Sequence, residues 1–158
     1  MYKEMRNKNQ ALTREKAEEL LINGQYGVLS TVGTDGHPCA TPISYIVMGD
    51  KIYFHGAMKG QKADNIAHDN RVSFCVVGMS QPFADTVLST YYESVMVFGD
   101  IHKVEDPLEK EVVMLAVSNK YMPTHLHMAP ALIKSGLAGT AVYCINIRHI
   151  TGKEKKGA

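Results

Sequence analysis

The stretch that decides the fold is Ile52-Tyr53-Phe54-His55-Gly56-Ala57-Met58-Lys59-Gly60-Gln61-Lys62-Ala63-Asp64-Asn65-Ile66. Ile52 and Phe54 alternate with Tyr53 and His55, as in a strand with one buried face. Gly56 and Gly60 bracket a turn that carries Lys59, and Lys62 follows at the start of a helix running to about His68. Two lysines oppose the helix dipole, which favours anions at that end. Free amides, glycines that permit close approach and cations together suit a bound phosphate. The same residues also describe a solvated lysine pair beside an ordinary turn. Neither GxxxxGK[ST] nor GxGxxG is present.

Working outward, short turns join the neighbouring strands. Thr13 caps a helix from Arg14 to about Asn23, with Ala17, Leu20 and Leu21 on one face and Gly24 ending it as a C′ residue. Tyr26–Val32 is the first strand, and Thr34-Asp35-Gly36 is a hairpin turn. A second strand runs from Pro38 to Met48, where Pro38 and Pro42 imply an edge or irregular segment. Gly49-Asp50 then turns the chain into Ile52–Gly56, giving a β-meander. Thr41, Ser44 and the amides around Pro42 would therefore face the same groove as His55, a mixed apolar and hydroxyl-lined surface suited to a flat heterocycle.

Beyond the short helix, Asn70–Met79 is a strand with Val72, Phe74 and Val76 on one face, and residues 80–89 read as a loop. Tyr92–Val104 is a long strand bent at Gly99. Asp106-Pro107-Leu108-Glu109 starts a helix as cap, N1 proline and capping-box glutamate. Leu108, Val112, Leu115 and Ala116 should face the core until Pro123 ends the helix. Residues 128–135 form one more short helix, and Thr140–Ile150 is the last strand. Six strands with interspersed helices predict a small antiparallel barrel, mainly β, in one domain spanning residues 1–158 with short disordered tails. A barrel filled by side chains leaves no internal room for a large ligand, so a cofactor would lie outside it or at a subunit contact.

Bulk properties exclude several function classes. A net charge of +1 gives no field to recruit nucleic acid or an anionic membrane. Cys39, Cys75 and Cys144 lack CxxC spacing and read as reduced core thiols of a cytoplasmic protein. No signal peptide or membrane-spanning run is visible. GxSxG is missing, and the cysteines sit in apolar strands, so no hydrolytic nucleophile stands out. His125-x-His127 could bring two imidazoles together in an extended segment, but no carboxylate or cysteine accompanies them and no metal is expected. The C-terminal Lys153-Glu154-Lys155-Lys156 run reads as a solvated tail.

Several segments carry a resemblance. Tyr26-Gly27-Val28-Leu29-Ser30-Thr31, Asp35-Gly36-His37-Pro38, Pro42-Ile43-Ser44-Tyr45, and Ile52–Ala57 through Gly60-x-Lys62-x-x-Asn65-Ile66 resemble the pyridoxamine 5′-phosphate oxidase-like superfamily. Within it they are most similar to the FMN-binding branch that includes 5-nitroimidazole-resistance proteins. Ser94-Val95-x-Val97-x-Gly99 and Ile150-Thr151-Gly152-Lys153 extend the likeness over nearly the whole chain. It implies a six-stranded split barrel and a homodimer with FMN at the subunit interface. The segment matching Thr41, Pro42, Ile43, Ser44 and Tyr45 would border the flavin ring, as would His55 and Gly56 on the neighbouring strand. Gln61 and Lys62 match the phosphate-binding pair, with Gly60 before them. The family usually has arginine where Gln61 stands, a charge that Lys59 could supply. Ser94 matches a position that approaches the flavin from the partner subunit.

The resemblance further implies an oxidoreductase acting on a small-molecule substrate, with a catalytic role for His55 as proton donor or substrate anchor. The Arg-Leu-x-Pro type ending of true pyridoxamine-phosphate oxidases is absent, which argues against vitamin-B6 oxidase activity. Related split barrels bind haem or a deazaflavin, and a non-catalytic flavin- or haem-binding module is the alternative.

Overall fold

The computed structural model describes residues 2–83 and 89–155. Seven strands form one antiparallel sheet: β1 (Gly27–Val32), β2 (Pro38–Ile43), β3 (Ile46–Met48), β4 (Lys51–Ala57), β5 (Arg71–Phe83), β6 (Ser89–Lys103) and β7 (Thr140–Lys155). Their spatial order is β2-β1-β5-β6-β7-β4-β3. The expected six strands become seven because the segment from Pro38 to Met48 breaks at Ser44-Tyr45. Its halves pair at opposite edges, β2 with β1 and β3 with β4. The β-meander is therefore overturned, and Thr41–Ile43 does not run beside Ile52–Gly56.

This break explains the shape. Ile43 and Ile46 end strands on opposite sheet edges, yet three residue steps span at most about 10 Å of extended chain. The sheet must curl until its edges nearly meet, joined by the chain instead of by a hydrogen-bonded ladder. The result is a split-barrel-like fold. Inside it lie Leu29, Ile43, Tyr45, Ile52, Phe54, Phe74, Val97 and Ile145, with Ala17 and Leu21 of α1 (Arg14–Asn23) covering one side. The filled interior is as expected, as is the alternation of Val72, Phe74 and Val76.

Helix α1 starts where Thr13 accepts from Lys16 N at 3.3 Å. It ends at Gly24, but φ is −59°, so left-handed geometry is not the reason for glycine. Space is: a Cβ there would sit 2.5 Å from Tyr45 Oη and 2.6 Å from Val76 Cγ1. Helix α2 (Gln61–His68) follows β4, and the buried Asn65 donates from Nδ2 to Thr31 Oγ1 at 3.0 Å, tying it to β1. The β6–β7 register shifts between Phe98 and Gly99, an irregularity at the position of the expected bend.

Two expected loops are strands. Residues 80–83 extend β5, and Ser89 already belongs to β6; the remainder of the expected 80–89 loop lies outside the described residues. Lys153–Lys155 is no solvated tail, because β7 continues through it, with Lys155 opposite Tyr92 on β6. The N-terminus is likewise docked: the Tyr2 ring stacks on His149 with centroids 4.6 Å apart.

Helix α3 (Pro107–Tyr121) begins as predicted, with Asp106 Oδ1 accepting from Leu108 N at 3.1 Å and Pro107 at N1. Glu109, however, does not close a capping box. It accepts a hydrogen bond from Tyr53 Oη at 2.8 Å. The expected buried face holds only for Ala116, which packs against the outer cluster. Leu108, Val112 and Leu115 are exposed, while Val113 and Val117 pack with Ile46, Tyr53, Val142 and Cys144 on the outer side of the sheet. After a 3-10 segment at Pro123–Met128, α4 (Ala129–Gly136) completes this outer layer. His125 and His127 fall in that turn, not in an extended segment, and the described residues contain no cluster of three or more metal-ligating side chains. No described helix is long and apolar enough to cross a membrane.

Candidate functional site

Strand β4 separates two environments. Ile52 and Phe54 point into the barrel, while Tyr53 faces α3. His55, two residues further on, emerges at the edge of the α3 layer and is partly exposed. The turn after β4 needs glycine at Gly60, where φ is +116°. Gly60 is also the N-cap of α2 and supplies no side chain to cap it. The first amides of α2 are thus left for solvent or an anion.

Lys62 lies one residue inside α2, and its side chain folds back over the barrel rim. Nζ stands 5.3 Å from the Phe54 ring centroid. A Cβ on Gly56 would come within 2.9 Å of that nitrogen, so only glycine leaves room for it. Among the described residues no carboxylate lies within ion-pair distance of Lys62. Burial lowers its pKa. Burial also lowers the pKa of His55, and the nearby Lys62 charge pushes in the same direction. Lys62, His55, Gly56 and the α2 terminus are therefore one electropositive, half-buried corner without an internal counter-ion. Gln61 is at the same terminus, and Lys59 is exposed on the turn before it.

The segment Thr41–Tyr45 contributes less than its spacing suggested. Ile43 and Tyr45 are buried in the barrel core, so their side chains border no groove. Thr41 pairs with Leu29 and Pro42 with Val28, on the far edge of the sheet. Ser44 alone comes to His55: the β3–β4 register, Ile46 opposite Tyr53, sets Ser44 opposite His55 when carried two residues back. Both line one cavity.

The Ser44-Tyr45 corner is clamped by residues that sequence reasoning missed. Tyr45 N donates to Tyr121 Oη at 2.9 Å, and that hydroxyl lies 2.8 Å from Tyr45 O and 2.9 Å from Gln25 O as alternative acceptors. Lys120 donates to Gly24 O at 2.7 Å and to Ile22 O at 3.2 Å, capping the carbonyl end of α1. Its Nζ also sits 4.4 Å from the Tyr45 ring centroid, and Tyr45 Oη donates to Leu21 O. Helix α3 thereby fixes the Ser44-Tyr45 joint of the barrel. No motif signals such a long-range knot; a Lys-Tyr pair in a last helical turn is the only local hint.

Ser94 is remote within one chain. It pairs with Lys153, whereas the strand row of His55 crosses Val142 to reach Val104. The ten residues from Ser94 to Val104 correspond to roughly 30 Å at ~3.3 Å per residue.

The sequence profile of the family described as pyridoxamine 5′-phosphate oxidase matches residues 13–154. The chain belongs to that family. No curated protein matches it. Solved structures share the family fold: a candidate 5-nitroimidazole antibiotic resistance protein from Bacteroides thetaiotaomicron superposes with a TM-score of 0.78 at 17% identity, covering 97% of this chain and 96% of that one. A flavocytochrome from Azotobacter vinelandii gives 0.81 at 19% identity, covering 98% of this chain and 73% of its own. An FAD- and haem-binding protein from Mycobacterium smegmatis gives 0.77 at 22% identity, covering 94% and 74%. At these identities the likeness concerns the fold. The Mycobacterium smegmatis relative is itself described as binding FAD and haem.

Proposed function

We propose that this protein binds FMN and acts as a flavin-dependent reductase of small electron-poor substrates such as nitroimidazoles, working as a homodimer with the cofactor at the subunit interface. The observation that carries the reading is Lys62: a half-buried cation with no ion-pair partner among the described residues, beside an uncapped helix terminus and a histidine. Such a corner fits the phosphate of a mononucleotide, because an anion there would satisfy both the ammonium and the free amides. FMN would supply the redox chemistry. Lys62 would hold its phosphate, Gly56 would keep the approach open, and Gln61 would add a neutral hydrogen-bonding side chain. Ser44 and His55 would border the ring, with His55 holding or yielding a proton at its imidazole. Ser94, taken as bordering the ring as the resemblance implies, would do so from a second chain, because it lies about ten residues along the strand from the row of His55.

The test is an absorption spectrum of the protein after gel filtration with added FMN, followed by titration of wild type and Lys62→Ala. Flavin bands should co-elute, and Lys62→Ala should weaken binding by roughly ten- to a hundredfold, as loss of a charge-assisted hydrogen bond does. No flavin band after add-back would overturn the reading. His55→Ala should slow turnover with flavin still bound; unchanged turnover would remove His55 from the chemistry. A second reading, a haem-binding module, draws on the haem named for the Mycobacterium smegmatis relative and on the His55 imidazole, and a Soret band would establish it.

A further inference from the structure

A cavity of about 330 Å³ lies on the side of His55 away from the barrel, between the sheet and helices α3 and α4. Its floor is Ser44, His55 and Thr140. Val117, Leu132 and Ile133 are among its walls, and no Lys, Arg, Asp or Glu lines it. Lys62 is not part of this lining, so His55 stands between the cationic corner and the cavity.

The polar atoms of the cavity are unequal. Thr140 Oγ1 donates to Gly136 O at 2.9 Å, and Ser118 Oγ donates to Met114 O at 2.9 Å. Their protons are committed, leaving only lone pairs toward the space. Tyr121 Oη is engaged at the Ser44-Tyr45 corner. The His55 imidazole makes no hydrogen bond among the described residues. Adjustable hydrogen-bonding capacity is thus concentrated at His55, with the Ser44 side chain beside it and also in reach of the Tyr121 hydroxyl, on one side of an otherwise apolar space. A carboxylate or phosphate entering it would lose its hydration and find no cation.

We propose that this cavity is a binding site for an uncharged, largely apolar aromatic molecule that places a polar group against Ser44 and His55, separate from the corner that takes the cofactor phosphate and, on the flavin reading, alongside the ring that borders the same two residues. Its size falls in the range of small-molecule sites. It excludes phosphorylated substrates, although the family takes its name from one. The inference rests on the flavin reading for the ligand's role as a substrate, but not for its binding.

The test uses two probes of one shape and different charge, 2-naphthol and 2-naphthoate, titrated by calorimetry into the protein with and without saturating FMN. Saturable one-site binding of naphthol is expected, with naphthoate weaker by about tenfold or more because its carboxylate is desolvated without a partner. Gly136 offers a clean way to fill the space: it lines the cavity, its φ at the end of α4 is −102°, and an added Cβ meets nothing within 4 Å. Gly136→Phe should lose naphthol binding while keeping the wild-type melting temperature and FMN affinity. Leu132→Asp, at a half-exposed wall position, should lose it as well. Lys62→Ala should leave naphthol binding intact. Equal affinity for both probes, unchanged binding in Gly136→Phe, or naphthol excluded by FMN would each overturn the proposal, the last by giving the cavity to the flavin ring. Naphthol binding without any FMN binding would sink the flavin reading and leave this site standing.

Discussion

The two faces of β4 and β7 follow different designs. On the barrel side, Ile52, Phe54, Ala141, Tyr143 and Ile145 close into a continuous apolar core. On the outer side, Tyr53, Val142 and Cys144 pack beneath α3, and then the packing stops short of His55 and leaves a cavity. Alternation along β4 therefore assigns stability to Ile52 and Phe54 on one face and chemistry to His55 on the other. Incomplete cover by α3 and α4 is what makes His55 available.

The comparison is broken most severely by Phe54→Ala. Phe54 is fully buried and stacks on Tyr143 with centroids 5.2 Å apart. Truncation should cost about 3–5 kcal/mol, read as a loss of midpoint in urea unfolding. His55→Ala, one residue away, should leave that midpoint nearly unchanged. If the two variants are equally destabilised, the division of labour between the faces is wrong.

The next effect concerns the joint. Tyr121→Phe removes the acceptor for Tyr45 N, at a cost of about 1–3 kcal/mol if that amide stays buried without a partner. Because Tyr45 follows Ser44, the variant should also weaken 2-naphthol binding, whereas a stability loss with unchanged naphthol affinity would confine Tyr121 to scaffolding.

What the sequence revealed divides along the same line. Strand alternation and turn signals read the barrel face correctly, because each of those residues answers to one neighbour shell and a period of two. Gly56, Gly60 and Lys62 were legible as a group, since short-range turn and helix-start chemistry places them. The outer layer was not. Residues 112–117 of α3 are Val-Val-Met-Leu-Ala-Val, apolar around the whole circumference, so periodicity alone favoured Leu108, Val112 and Leu115 over the Val113–Val117 stripe that packs. The division of Pro38–Met48 between opposite edges was hidden for a similar reason. Ser44-Tyr45 carries no turn signature, and the joint depends on Tyr121 and Lys120, which lie far along the chain in the last turn of α3.

The finest distinction between the two sides of His55 is electrostatic. Burial and, to a lesser degree, the Lys62 charge both favour the neutral imidazole, so His55 should titrate below its ordinary value of 6.5. The unfolded chain then binds more protons than the folded one just below 6.5. His55 therefore adds to stability above that pH, and the contribution is lost as pH falls toward the folded pKa. Lys62→Met removes the neighbouring charge and keeps most of the burial. In an imidazole-resolved NMR titration the His55 midpoint should rise in this variant yet remain below 6.5, because burial is the larger cause. FMN added to the wild type should raise it likewise, since a phosphate beside Lys62 offsets the ammonium field. A midpoint unmoved by Lys62→Met would separate His55 from the cationic corner. It would then belong to the aromatic cavity alone, and the strand would divide the two sites one residue later, at Gly56.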